Sequence, residues 1–179
     1  MCRLIGQKLV MAFVICLVLG AAEVFACSCV EIPDVSFNDR VNNAVNGAAM
    51  VFAGKVVGFE YRKGVPGRFR QPSKDDQGRD IEWETKFVKF KAERWWAGEP
   101  ATEVFLATDE GRSSTGIGIA SSCDFYFEEG KTYLVYAHRD RNAFRTHSCT
   151  RTSLLSNTKD LPVLGVGKEP VKKKDQPEK

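Results

Sequence analysis

Residues 84–96 read ETKFVKFKAERWW, and this stretch decides the fold. Val88, Phe90 and Ala92 alternate with Lys89, Lys91 and Glu93. Successive side chains of a strand point to opposite faces, so one face here is buried and the other is wet. The pattern predicts a long strand over 84–96. Ala97-Gly98-Glu99-Pro100 supplies a turn, and 102–108 returns as the next strand.

Upstream, 50–59 (MVFAGKVVGF) reads as a largely buried strand with Gly54 as a bulge site. Before it, 36–45 predicts a helix. Phe37, Val41, Ala44 and Val45 share one face, and Ser36 can cap it. Asn42, Asn43, Asn46 and Gly47 keep that helix short. Residues 62–82 are polar and rich in Gly and Pro, and predict a long exposed loop. Downstream, 110–122 is Gly- and Ser-rich and predicts a flexible segment. Its Gly116-Ile117-Gly118 lacks the strand–helix context of a phosphate loop. A strand over 123–127, a turn at 128–131 and a strand over 132–138 follow. Residues 146–152 predict a last strand around Cys149, and 153–160 a short helix. No internal repeat is present. Five or so strands with short helices predict an all-β fold, a five-stranded antiparallel Greek-key barrel of the OB-fold type. A sandwich shares the pattern.

The N-terminus predicts export. Residues 1–8 carry Arg3 and Lys8 and no acid, and 9–22 (LVMAFVICLVLGAA) form one apolar run. Val24 and Ala26 occupy the small-residue positions that a signal peptidase reads. The run is shorter than the roughly 20 residues that span a bilayer. Residues 1–26 are therefore expected to be a signal peptide, 27–162 the folded domain, and 163–179 a disordered basic tail. A retained membrane anchor and lipidation of Cys27 are the alternatives at the cut site. Phe25 is bulky for a lipoprotein site, and lipidation would leave an odd cysteine.

Cleavage after Ala26 makes Cys27 the first residue, with a free α-amine. Of six cysteines, Cys2 and Cys16 leave with the signal, and Cys27, Cys29, Cys123 and Cys149 stay. An even count in an exported chain reads as a disulfide framework. A Cys27–Cys29 bridge would be too tight for relaxed geometry, which leaves two long-range pairings. A Cys-x-Cys with two isolated cysteines lacks zinc-ribbon spacing. Removing Arg3, Lys8 and Glu23 from 26 basic and 23 acidic side chains leaves a net charge of +2. That balance points to no nucleic-acid partner. No membrane association is expected after cleavage, and a monomer is expected.

Five segments then occur in order: the CSC terminus, AAMVFAGKVV (48–57), KFVKFKAERWWAG (86–98), CDFYFEEGKTYLVYA (123–137) and THSCTRTSLL (146–155). Together they resemble the tissue inhibitor of metalloproteinases family, within the netrin-like group, over residues 27–162. The resemblance implies a five-stranded barrel and disulfides Cys27–Cys123 and Cys29–Cys149. It implies that Cys27 chelates the catalytic zinc of a metalloprotease through its amine and carbonyl. Ser28 would enter that protease's specificity pocket, with Cys29 and Val30 as flanking strand. Animal members carry a third disulfide here and a second disulfide-rich domain. This chain has cysteines for neither and resembles the shorter bacterial relatives.

The chemistry is reasonable in itself. A catalytic zinc keeps one open position for the attacking water. A neutral amine and its own carbonyl close a five-membered chelate there and expel that water. The zinc belongs to the protease, so no cofactor of the protein's own is expected. An enzyme is not expected either: there is no HExxH or nucleophile-elbow motif, and only His138 and His147 as histidines. Glu128 and Glu129 sit at a turn, the usual place for solvated acids. Barrels of this type also bind sugars, and Trp95, Trp96 and Phe105 would be the candidates for a sugar-binding or structural module.

Overall fold

The computed structural model describes residues 27–30, 33–64, 74 and 76–171. The expected signal peptide, most of the polar stretch at 65–75, and residues 172–179 of the tail lie outside them. The elements in chain order are α1 (Phe37–Gly47), β1 (Met50–Lys63), β2 (Trp83–Ala97), β3 (Glu103–Ser113), β4 (Gly118–Ile119), β5 (Thr132–Asp140), β6 (Ala143–Arg145), β7 (Ser153–Leu154) and α2 (Leu161–Leu164). The fold is mostly β with short helices, and every strand pairing is antiparallel.

The helix starts where its cap predicts. Ser36 has extended backbone, and its Oγ accepts from Asp39 N at 3.2 Å. That hydrogen bond satisfies one of the first-turn donors that have no partner within the helix. Val41 is fully buried, and Ala44 and Val45 pack on Val51, Leu134 and Tyr136. Those three strand residues face α1. Their neighbours Phe52, Tyr133 and Val135 point the other way into the main core, with Val88, Phe90, Trp95 and Leu106. β1 and β5 are thus covered on both faces, which explains why Val51, Phe52 and Ala53 are all buried. β2 keeps a wet face at Lys89, Lys91 and Glu93, as its alternation predicts, but Thr85 and Phe87 on the same face are buried.

The β1–β2 register shifts at three places, one of them between Ala53 and Gly54. A Cβ at Gly54 would meet the Phe52 ring at 3.0 Å and the Lys91 carbonyl at 3.1 Å, so the close approach needs glycine. At the β2–β3 turn Gly98 has φ +87°, and a Cβ there would stand 2.9 Å from the Ala49 carbonyl.

The sheet runs β4-β3-β2-β1-β5-β6, with β7 also on β5. Seven strands are described where five or so are expected, and hydrogen bonding does not close the sheet into a barrel. β3 and β6 approach each other without a ladder. A side chain spans the gap: Arg145 Nη1 donates to the Thr108 carbonyl at 2.7 Å.

Several expected elements differ. β3 does not stop at Thr108 but runs through Asp109-Glu110-Gly111 to Ser113, then returns as β4. Cross-strand pairs hold this polar end: Lys86 to Glu110 at 2.7 Å and Arg112 to Glu84 at 2.7 Å. Residues 123–127 are not a strand, and contribute one isolated bridge, Asp124 to His147. Residues 146–152 are not a strand either. There the Thr152 hydroxyl accepts from Tyr136 N at 3.0 Å, and the Thr146 hydroxyl donates to Tyr136 O at 2.9 Å. Two hydroxyls thereby satisfy the outer edge of β5 where a ladder would otherwise be needed. The short helix expected at 153–160 is replaced by β7 and a turn, and a helical turn follows at 161–164.

The domain also continues past residue 162. Trp95 and Lys168 exchange backbone hydrogen bonds at 2.8 and 2.6 Å, and Trp96 Nε1 donates to Gly165 O at 2.9 Å. β2 extends beyond its pairing with β3, so Trp95 presents an open edge that residue 168 fills.

Candidate functional site

Cys27-Ser28-Cys29-Val30 lies outside any helix or strand and forms a strap across two loops. Cys27 is bonded to Cys123 with Cα atoms 5.0 Å apart, and Cys29 to Cys149 with Cα atoms 5.1 Å apart. The two bridges are neighbours, with Cys27 Sγ 4.0 Å from Cys149 Sγ. Cys27 is half-buried. Ser28 and Cys29 are exposed, and Val30 is 91% exposed. The first and third strap residues are therefore fixed while Ser28 and Val30 face solvent.

The two loops form one platform. Ser148 donates to the Cys123 carbonyl from its backbone N at 2.9 Å and from its hydroxyl at 3.2 Å. Cys149 N donates to His147 Nδ1 at 3.2 Å. Asp124 sits beneath, 7% exposed, accepting from Asp109 N at 2.8 Å and Phe125 N at 3.1 Å. Burial pushes its carboxyl up to about 6 and the nearby Asp109 carboxylate adds to this, while the backbone donors pull the other way.

Beside the strap lies a groove of about 620 Å³, walled by Cys29, Val30, Phe37, Arg40, Cys149 and Arg151. Arg151 is held by Asp160, Nε to Oδ2 at 2.8 Å and Nη2 to Oδ1 at 2.5 Å. Tyr136 donates its hydroxyl to Asp160 Oδ2 at 2.8 Å. Burial, then the Asp160 carboxylate, raises the Tyr136 phenol above its ordinary range, so it stays a donor.

The expected sugar candidates do not form a platform. Trp95 is 2% exposed, stacks on Phe52 at 5.2 Å, and donates from Nε1 to Ala101 O at 3.0 Å. Trp96 packs on the opposite side of β2 toward Leu164. Phe105 lies under the guanidinium of Arg62 at 4.2 Å. Each ring is already used in packing. His138 and His147 are half-buried neighbours, ring centres 5.4 Å apart.

Among the described residues, no group of three or more His, Cys, Asp or Glu is placed to hold a metal ion. No helix among them is long and apolar enough to cross a membrane. Two disulfides fit an oxidising, extracytoplasmic compartment. Arg40, Arg151, Asp160 and Asp124 are the site's polar residues that the sequence alone does not single out. Compared with protein-family models and with curated proteins, the chain gives no match.

Proposed function

We propose that the mature protein is an exported inhibitor of a zinc metalloprotease. In this reading a signal peptide is cut after Ala26. The strap docks in the protease's active site, and the amine and carbonyl of Cys27 close on the protease's zinc. Ser28 enters the adjacent pocket, and Cys29 and Val30 lie along the cleft. The scaffold in this reading is a partly open Greek-key barrel of the OB-fold type, its five strands being β1, β2, β3, β5 and β6 with the seam between β3 and β6 left without a ladder, and it is a ligand rather than a catalyst.

One observation carries the reading. The first and third residues of the strap are bonded to adjacent loops, while Ser28 and Val30 are exposed between and beyond them. A segment held this way loses little ordering entropy on binding, which favours affinity.

The test is a panel of zinc metalloproteases assayed against exported protein whose N-terminal residue is established by intact mass. A variant with one Ala before Cys27 is assayed beside it. The extra residue turns the amine into an amide, a poor metal ligand. Inhibition by the native form and its loss in the extended, still folded form is the expected result. Undiminished inhibition by the extended form would reject zinc chelation, and no inhibition by either form would leave the strap a structural staple.

A further inference from the structure

We propose that the groove between the strap and α1 takes a carboxylate side chain from an acidic segment of the protein partner. The proposal rests on the strap being partner-facing, but its test does not pass through inhibition.

The groove is cationic. Among the described residues lining it, Asp160 is the only acid, against Arg40, Arg151 and Lys159. Asp160 is already consumed, because it holds two nitrogens of Arg151 and accepts from Tyr136. Asp39, one residue before Arg40, is engaged by Ser36 through both its backbone N and its carboxylate. No hydrogen bond or ion pair within the described residues engages the side chain of Arg40 or Lys159.

Arg40 is the key donor. Its Nε is buried and has no hydrogen-bond acceptor among the described residues. A charged group whose buried donor lacks an acceptor is poorly solvated, and an anion meeting the outer nitrogens of the guanidinium offsets that cost. The guanidinium offers paired N–H groups that match a carboxylate. The groove also has an apolar lining from Val30, Val35 and the Phe37 ring, the last beneath the Arg151 guanidinium at 5.1 Å. A carboxylate on a short aliphatic stem, as in Glu or Asp, fits both surfaces. Cys29 and Val30 form part of the wall, so a segment bound along the strap passes the groove's mouth.

The experiment titrates isotope-labelled mature protein with tetraglutamate, tetraglutamine or inorganic phosphate at low ionic strength. The Arg40 Nε–H resonance and the Kd are read. Tetraglutamate is expected to shift that resonance and to bind more tightly than the other two. Arg40→Gln is expected to weaken its binding by roughly tenfold, as loss of one charge-assisted contact. Lys91→Gln removes the same charge from an exposed site on β2 and is expected to change Kd by less than about twofold. Equal binding of tetraglutamine or phosphate, or equal loss in Lys91→Gln, would overturn the proposal. So would an unmoved Arg40 resonance in the unaltered protein, which needs no variant to fold. Glu31 lies outside the described residues. A roughly tenfold gain in tetraglutamate affinity on Glu31→Gln would make the chain's own carboxylate the occupant and overturn the proposal for a partner's.

Discussion

Arg145 Nη1 donates to the carbonyl oxygen of Thr108 at 2.7 Å, across the gap where β6 and β3 meet without a ladder. The same nitrogen stands 3.0 Å from Asp109 Oδ1, and the two side chains are 5% and 12% exposed. One guanidinium thus satisfies a carbonyl and a carboxylate that the open sheet would otherwise leave buried and unpaired.

Arg145→Met should therefore destabilise the fold by about 3–5 kcal/mol, the usual cost of stranding one partner of a buried pair. Arg112→Met provides the contrast. Arg112 is 56% exposed in its pair with Glu84, so its loss should cost no more than about 1 kcal/mol. Urea unfolding of both variants checks this. Equal, small losses would mean that the seam is held by packing alone.

The Asp124 carboxyl, raised to about 6 by burial, makes stability depend on pH. The folded state holds the proton more tightly than the unfolded chain, whose Asp titrates near ~3.9. This contribution is fully present below about pH 4 and is lost as pH rises through about 6. The span of about two units corresponds to roughly 3 kcal/mol as an upper figure. Between pH 4 and 7, unaltered protein should lose stability relative to Asp124→Asn. Parallel curves for the two proteins would show that the carboxyl titrates normally.

The two disulfides should not contribute additively. Alone, each closes a long loop, with sequence separations of 96 and 120, worth about 4–5 kcal/mol in the chain-entropy model. With one bridge intact, the second closes only a ring of roughly 30 residues, through Cys27–Cys29 and Cys123–Cys149, worth about 3–4 kcal/mol. Cys29→Ser/Cys149→Ser should therefore lose about 3–4 kcal/mol and keep the Cys27–Cys123 bond. Denaturant titration gives the loss, and non-reducing peptide mapping the bond. A loss as large as that of the fully reduced chain would contradict the nested-loop account.

Much of the fold was legible because its signals are local. The alternation at 88–93 and the Ser36 cap each act within a few residues, and β2 and α1 begin within one residue of expectation. Residues 146–152 misled for a physical reason. Threonine favours strands, yet here Thr146 and Thr152 use their hydroxyls to satisfy Tyr136 in place of a backbone ladder. The contacts of Gly165 and Lys168 with Trp96 and Trp95 are not legible, because the open edge at Trp95 exists only once β2 is paired and β3 stops short of it. In the site, the CSC triplet could be read directly. Arg40, Asp124 and the Arg151–Asp160 pair could not, because their roles depend on which segments the fold brings alongside them.

The proposed inhibition depends on the Cys27 α-amine that cleavage after Ala26 would free. A metal-ligating amine must first lose its proton, and an unperturbed α-amine titrates at roughly 7.7–8.0. Above that range a free Cys27 amine would be ready to bind. Below it, the proton must be removed before the bond to zinc forms. Affinity for a zinc metalloprotease should therefore fall as pH drops through the amine's pKa, approaching tenfold per unit well below it. The protease has titrations of its own, which an inhibitor that binds without an amine measures separately. Inhibition constants from about pH 8.5 to about 6, corrected in this way, span the amine's range. A flat corrected profile would mean that the strap binds without a free amine at the metal. In that event exposure of Ser28 and Val30 would have to be explained by a surface contact alone.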